Sequence, residues 1–256
     1  MQNDPFPYSG TVEVSRIALQ PEAVWSMLSP HLTPARRRRI EAVAKRRSFA
    51  VATVLEQVHD NGNIAAVLRT CEAIGFPIVQ LVRSPRAPGD KWRPPNRVSH
   101  GAQKWIEATW WDADSSWMQH LREKGYRVLV TRLGDGPTIE QVDFSHPTAV
   151  VFGNEHGGVT NATADAADGA FSIPMAGFTR SLNISVAVGM VLKHARNVRA
   201  ETLGTDSDIS TEQAQLLSAQ YAVRSLPNAG SLVRRALSEG SFDISLLRHE
   251  GSSYDH

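Results

Sequence analysis

The chain has 256 residues, 41% of them hydrophobic and 21% charged, which suits an ordinary globular protein of one or two domains with a sizeable core. A formal charge of only +1 excludes a wholly basic nucleic-acid binder, and the single cysteine, Cys71, excludes an intrachain disulfide and a cysteine-based zinc site. No apolar run reaches membrane-spanning length and the start lacks the basic and apolar regions of a signal peptide, so the cytoplasm is the expected compartment and no membrane partner is expected.

The charge is unevenly spread. Residues 1–50 carry eight Lys/Arg against four Asp/Glu, residues 81–104 six against one, and residues 197–256 five against eight. Two basic segments in a neutral chain point to a local anionic partner. Taken in order, residues 1–12 read as a loose, proline-rich end. From Glu22 a helical pattern places Trp25, Leu28 and Leu32 on one face. Thr33-Pro34 reads as a helix start, Thr33 capping and Pro34 in the first turn. That helix carries Arg36, Arg37, Arg38 and Arg39, followed by Lys45, Arg46 and Arg47. Glu41 is the only acidic residue among them, so the cations repel one another unless an anion sits nearby, and they are candidate RNA contacts.

Ser48 to Glu56 reads as a first buried strand, His59 to Asn63 as a turn, and the stretch through Arg69 to Ile74 as a helix closed by Gly75. Ile78 to Val82 follows as a second strand, giving a βαβ unit and hence a parallel sheet. The long basic loop after it interleaves Arg93 and Arg97 with Trp92 and Trp105, a pattern suited to phosphate contact and base stacking on looped RNA. Glu107 to Trp111 reads as a strand, Asp114 to Lys124 as a helix ended by Gly125, and Tyr126 to Thr131 as another strand. Thr148 to Phe152 is a continuous apolar run, as expected for a strand buried on both faces. Asn161 to Ala170 reads as an alanine-rich helix. The apolar residues of 184–192 cover most of a helical circumference, which predicts a helix covered on all sides, in part by another chain. The chain turns polar after Arg196; helices are expected near Glu212–Val223 and Val233–Leu237, with a tail from Gly251.

Gly153-Asn154-Glu155-His156-Gly157-Gly158 follows the apolar run. It is neither a Walker loop nor a dinucleotide fingerprint. With Thr131-Arg132-Leu133 and Ile173-Pro174-Met175-Ala176-Gly177 it supplies three strand ends that can converge on one pocket of backbone donors and acceptors. His59 and His156 lack metal-ligand spacing and read as turn residues, so no metal is expected. Cys71 reads as a small buried helix residue.

Asn63-x5-Arg69, Asn154-Glu155-x-x-Gly158, Ile173-Pro174-Met175 and Ser181-Leu182-Asn183-x-Ser185 occur in that order. Together they resemble the three motifs of the SpoU/TrmH branch of the SPOUT RNA methyltransferases, over roughly residues 51–196. The resemblance implies an α/β fold: a parallel-sheet methyltransferase domain with a C-terminal deep trefoil knot, plus short N- and C-terminal helical extensions. The corresponding boundaries are 1–47, 48–197 and 198–256. It implies S-adenosyl-L-methionine as cofactor, held at Thr131, Leu133, Gly153, Ile173, Met175 and Leu182. Its catalytic positions are Arg69, Asn63, Glu155, Ser181 and Asn183, with the arginine central. Arginine stays protonated in proteins, so gripping phosphate and stabilising a developing alkoxide suits Arg69 better than acting as base. The resemblance further implies a homodimer in which the Asn63–Arg69 helix reaches toward the neighbouring pocket. It implies an RNA substrate, favoured as tRNA at the D-loop guanosine of position 18. Ribosomal RNA, a non-catalytic RNA-binding module and a nucleotide-binding regulator are the alternatives.

Overall fold

The computed structural model describes residues 4–83, 101–112, 116–134, 136–205 and 207–240. A hairpin of β1 (Val12–Val14) and β2 (Ile17–Leu19) is followed by α1 (Pro21–Leu28), a 3₁₀ turn at Ser29–His31 and α2 (Pro34–Ala44). Then come β3 (Val51–Glu56), α3 (Asn61–Ile74), β4 (Ile78–Val82), β5 (Glu107–Trp111), α4 (Ser116–Glu123), β6 (Arg127–Thr131) and β7 (Thr148–Phe152). The remainder is α5 (Asn161–Ala166), β8 (Gly169–Phe171), α6 (Ile184–Leu203), α7 (Thr211–Ser225) and α8 (Ala229–Glu239). The chain divides into two compact units. One is Arg47–Asp208 with the chain start up to Phe6; the other is Pro7–Arg46 with the chain from Ile209 onward.

The first unit is an all-parallel six-stranded sheet in the order β5-β4-β3-β7-β6-β8. β3, β4 and β7 are buried at every position, so none of them alternates, and even Thr53, Glu56 and Gln80 within them are enclosed. The chain steps outward from β3 through β4 to β5. It returns on the other side, where β7 lies between β3 and β6. A sheet whose order reverses there opens a crevice at the carboxyl ends of its strands, the usual ligand position in open α/β sheets. Val51, Leu55, Val150 and Phe152 from β3 and β7 pack with Leu68 and Phe76 and with Val188 and Leu192 of α6 in one core.

α3 is bounded as its sequence dictates. The Asp60 carboxylate accepts from the Asn63 amide (2.6 Å), and Gly75 takes the left-handed conformation at the C-terminus (φ 100°). Cys71 on its inner face is fully buried beside Thr53, and burial pushes its thiol up to about 12, so it stays protonated. The second unit packs α1 and α2 on α7, and α1 on α8. Thr33 caps α2 by accepting from the Arg36 amide (3.2 Å), with Pro34 in the first turn as expected.

Several expectations need correction. From Phe6 on the chain is not loose: Phe6 is buried edge-on to Phe49 at 5.0 Å, and Val12 and Val14 are buried in the hairpin. The alanine-rich helix stops at Ala166, because Gly169–Phe171 instead pairs in parallel with β6. Val51, not Ser48, opens the first strand. Ile173 and Pro174 lie past the end of β8, outside any strand. α6 runs on to Leu203; within this chain it buries Ile184, Val188, Val191, Leu192 and Ala195, while Val186 and Met190 are 48% and 45% exposed. Arg93, Arg97 and the expected tail lie outside the described residues.

Candidate active site

The crevice is built around Gly153, at the end of β7. A Cβ there would fall 2.0 Å from the Gly158 carbonyl carbon and 2.1 Å from the Val159 nitrogen, so no side chain is accommodated. The chain folds back on itself in this loop: Asn154 and Gly158 exchange backbone hydrogen bonds of 3.2 and 2.8 Å. The Asn154 side chain fixes the rest. Its oxygen accepts from the amides of His156 (2.8 Å) and Gly157 (3.3 Å), and its Nδ2 donates to the Gln57 carbonyl (3.0 Å). Gln57, just past β3, holds an unfavourable positive φ of 55° to present that carbonyl. One residue earlier, the buried Glu56 carboxylate accepts from the Thr160 amide and hydroxyl, each at 2.8 Å, and from the Thr163 hydroxyl. The loop is thus pinned at both ends to the end of β3.

The loop forms one wall of a cavity of about 520 Å³ at the carboxyl ends of β6 and β7. All six residues expected to hold a cofactor line it: Thr131, Leu133, Gly153, Ile173, Met175 and Leu182. Glu155 and Ser181 line it too, as do Arg132 and Arg180. Among the described residues neither guanidinium has a hydrogen-bond or ion-pair partner.

Asn63, Glu155 and Asn183 form one hydrogen-bonded chain. Asn63 Nδ2 donates to Glu155 Oε1 at 2.7 Å, and Asn183 Nδ2 donates to Asn63 Oδ1 at 3.0 Å. Asn183 Oδ1 in turn accepts from the Ser185 amide (2.9 Å) and hydroxyl (2.6 Å), capping α6. Asn63 therefore does two jobs: it sits in the first turn of α3 and bridges the loop to the start of α6. Residues 120 positions apart become neighbours here. Within this chain Asn63 meets the crevice loop through Glu155. Arg69 differs. It is exposed on α3, does not line the cavity, and has no partner among the described residues.

The family comparison follows this geometry. Residues 50–193 match the SpoU rRNA Methylase family, which spans β3, the crevice loop and most of the buried part of α6. The chain belongs to this family. It is 39% identical over 168 residues to the tRNA (guanosine(18)-2'-O)-methyltransferase of Thermus thermophilus, covering 65% of this chain and 84% of that protein. It is 31% identical over 169 residues to the Escherichia coli protein of the same name, covering 66% and 72%. The solved TrmH/SpoU tRNA modifying enzyme of A. aeolicus matches with a TM-score of 0.65 and 27% identity, over 75% of this chain and 97% of that one. An AdoMet-bound rRNA methyltransferase from Sinorhizobium meliloti matches with a TM-score of 0.51 and 28% identity, over 57% and 56%.

As a member of this family the chain is a methylase that uses S-adenosylmethionine. The basic residues divide between two settings. Arg36, Arg38, Arg39 and Arg46 are exposed and Arg37 half-exposed on and just after α2, with Arg36 also donating to the Ser225 hydroxyl at 3.4 Å. Arg47 is not an RNA-facing residue. It is 2% exposed, and its guanidinium bonds the Glu72 carboxylate (3.0 Å) and carbonyl (2.6 Å). Glu56, Gln57 and the anchoring role of Asn154 escape sequence reasoning, because a strand-end glutamate gives no sign of partners 104 and 107 residues away. Among the described residues no group of three or more His, Cys, Asp or Glu could hold a metal ion.

Proposed function

We propose that this chain is an S-adenosylmethionine-dependent ribose 2′-O-methyltransferase of tRNA, acting on the guanosine of position 18. The observation that carries the reading is the cavity in which six cofactor positions share a wall with Glu155, itself held by Asn63 and Asn183. The names of the Thermus and Escherichia relatives supply the nucleotide. The cavity suits the cofactor: its volume of about 520 Å³ lies in the usual range for such sites, apolar Leu133, Ile173, Met175 and Leu182 wall it, and Glu155 is the one carboxylate that lines it among the described residues. When bound, the cofactor supplies a methyl group on a sulfonium leaving group. The protein must then align a ribose hydroxyl and take up its proton. Glu155 has a second oxygen with no partner among the described residues, available to hold a guanidinium or accept that proton. Ser181 lies where it can orient the hydroxyl. Arg132 and Arg180 are placed for the phosphates flanking the target ribose.

Arg69 completes the reading. It has no place in the cavity of its own chain, so we assign it to the cavity of a second copy, in a homodimer closed through the exposed Val186 and Met190 of α6 and the adjoining α3. From its family we further propose that the chain beyond Gly153 is threaded as a trefoil knot. In this reading 48–197 is the catalytic domain, flanked by an N-terminal extension of 1–47 and a C-terminal one of 198–256. No helix among the described residues is long and apolar enough to cross a membrane, and the cytoplasm is the proposed compartment. The test is methyl transfer to a tRNA transcript. One methyl group per transcript is expected, and none when the position-18 nucleotide is 2′-deoxyguanosine. Transfer to a base, or only to ribosomal RNA, would overturn the assignment.

A further inference from the structure

We propose that the helical unit contains a second RNA subsite, a pocket that takes one extruded guanine of the substrate. The inference rests on the RNA-methyltransferase reading but concerns a region outside the residues matched to the family. A cavity of about 500 Å³ lies among α1, α2 and the start of α7, all within the one unit. Its lining includes Trp25 and Glu22 of α1, Glu41 of α2 with the adjoining Lys45, and Gln215 of α7. Trp25 is only half-buried, so part of its indole face is available for a base to stack on. Among the described residues Glu22, Glu41 and Lys45 have no ion-pair partner.

The charge pattern selects the base. Carboxylates accept hydrogen bonds and donate none. Guanine is the base that presents two donors side by side, N1–H and the 2-amino group, to match a carboxylate's two oxygens. Adenine and cytosine place an acceptor nitrogen beside their amino group, and uracil flanks its one donor with two carbonyls, so each would set a lone pair against the carboxylate. Two carboxylates in the lining also keep phosphate out of the cavity. Phosphates belong along α2 outside the cavity, where Arg38 and Arg39 are exposed. Base inside, backbone outside, is the usual arrangement for recognition of a single-stranded or looped nucleotide.

The test uses the full-length protein and a tRNA transcript. Trp25→Ala and Glu41→Gln should each raise the KM for transcript about 10-fold, with kcat and S-adenosylhomocysteine affinity within about twofold. Trp25→Phe should recover most of the loss, because it keeps the stack. Replacing unpaired guanosines singly by inosine, which lacks the 2-amino group, should raise the wild-type KM at one position, and that increase should vanish in the Glu41→Gln background. An unchanged KM in both Trp25→Ala and Glu41→Gln, or an inosine effect that persists undiminished in Glu41→Gln, overturns the pocket. Glu41 is exposed, so its variant remains informative even if Trp25→Ala misfolds. A wild-type protein that methylates no RNA overturns the parent reading instead. Active enzyme with variants at wild-type KM overturns this one alone.

Discussion

The crevice of the α/β unit and the outer face of α2 are both rich in polar side chains, yet they treat them in opposite ways. In the crevice the carboxylates, amides and hydroxyls that shape the loop bond one another. Glu56 holds Thr160 and Thr163, Asn154 holds His156, Gly157 and Gln57, and Asn63 joins Glu155 to Asn183. On α2, Arg37, Arg38 and Arg39 have no hydrogen-bond or ion-pair partner among the described residues, and the same holds for Arg69, Arg132 and Arg180. Groups bonded to each other set geometry in advance and cost nothing to reorganise when substrate arrives. Adjacent cations left unpaired destabilise the isolated chain slightly and are relieved by an anion. The difference separates what builds the site from what we propose meets RNA.

Substitutions on either side of that division sharpen it. The largest effect belongs to Gly153→Ala. Its methyl group would meet the Gly158 backbone at 2.0 Å, so the loop must move, and S-adenosylhomocysteine affinity by calorimetry should fall by ~100-fold or more. Asn63→Ala comes next. It deletes both bonds of the bridge and leaves Glu155 unanchored, so kcat should drop on the order of 100-fold while cofactor affinity changes little. Equal losses in kcat and cofactor binding would make Asn63 a scaffold residue only. Replacing Arg36, Arg37 and Arg39 together by Ala should weaken RNA binding about 10-fold at moderate salt and make the log–log salt dependence shallower by about two to three. Cofactor binding should stay as in the wild type, and an unchanged salt slope would return α2 to an ordinary solvated face. Arg47→Met is the contrasting control. It should leave RNA affinity within about twofold but cost about 2–3 kcal/mol of stability on urea unfolding, because Glu72 loses the partner that balances its partial burial.

How much of this was legible in the sequence follows from how local each signal is. β4, β5, the start of α2 and the end of α3 have clear markers: strand-length runs, a Thr-Pro start and a glycine stop at Gly75. The β1–β2 hairpin has none. Its strands are three residues long, and its turn puts Ser15 and Arg16 at positive φ where Asn-Gly would have announced it. β8 was hidden because Gly169-Ala170 continues the alanine pattern of α5, and only pairing with β6 makes it a strand. Arg47 looks like its neighbours in an arginine run, yet it lies past the end of α2, where the chain turns its side chain in to Glu72. In the site, the convergence of three strand ends was readable from their glycines and prolines, while the six cofactor positions came from the family resemblance and line one cavity. The Asn63–Glu155–Asn183 bridge was not, since nothing in the spacing says that residues 92 and 120 apart will touch.

Arg69 is where the comparison is most exposed to test. It belongs by motif to the catalytic set and by position to the unpaired cations, and both hold only if it serves another chain's cavity. Arg69→Ala and Asn183→Ala should each be inactive alone, with the wild type sedimenting as a dimer. Mixed in equal amounts under exchange conditions, random pairing makes half the dimers mixed, each with one site that has both residues intact. Methyl transfer should therefore return to about a quarter of the wild-type level. No recovery after verified exchange, or a wild type that is monomeric at assay concentration, would contradict the shared site.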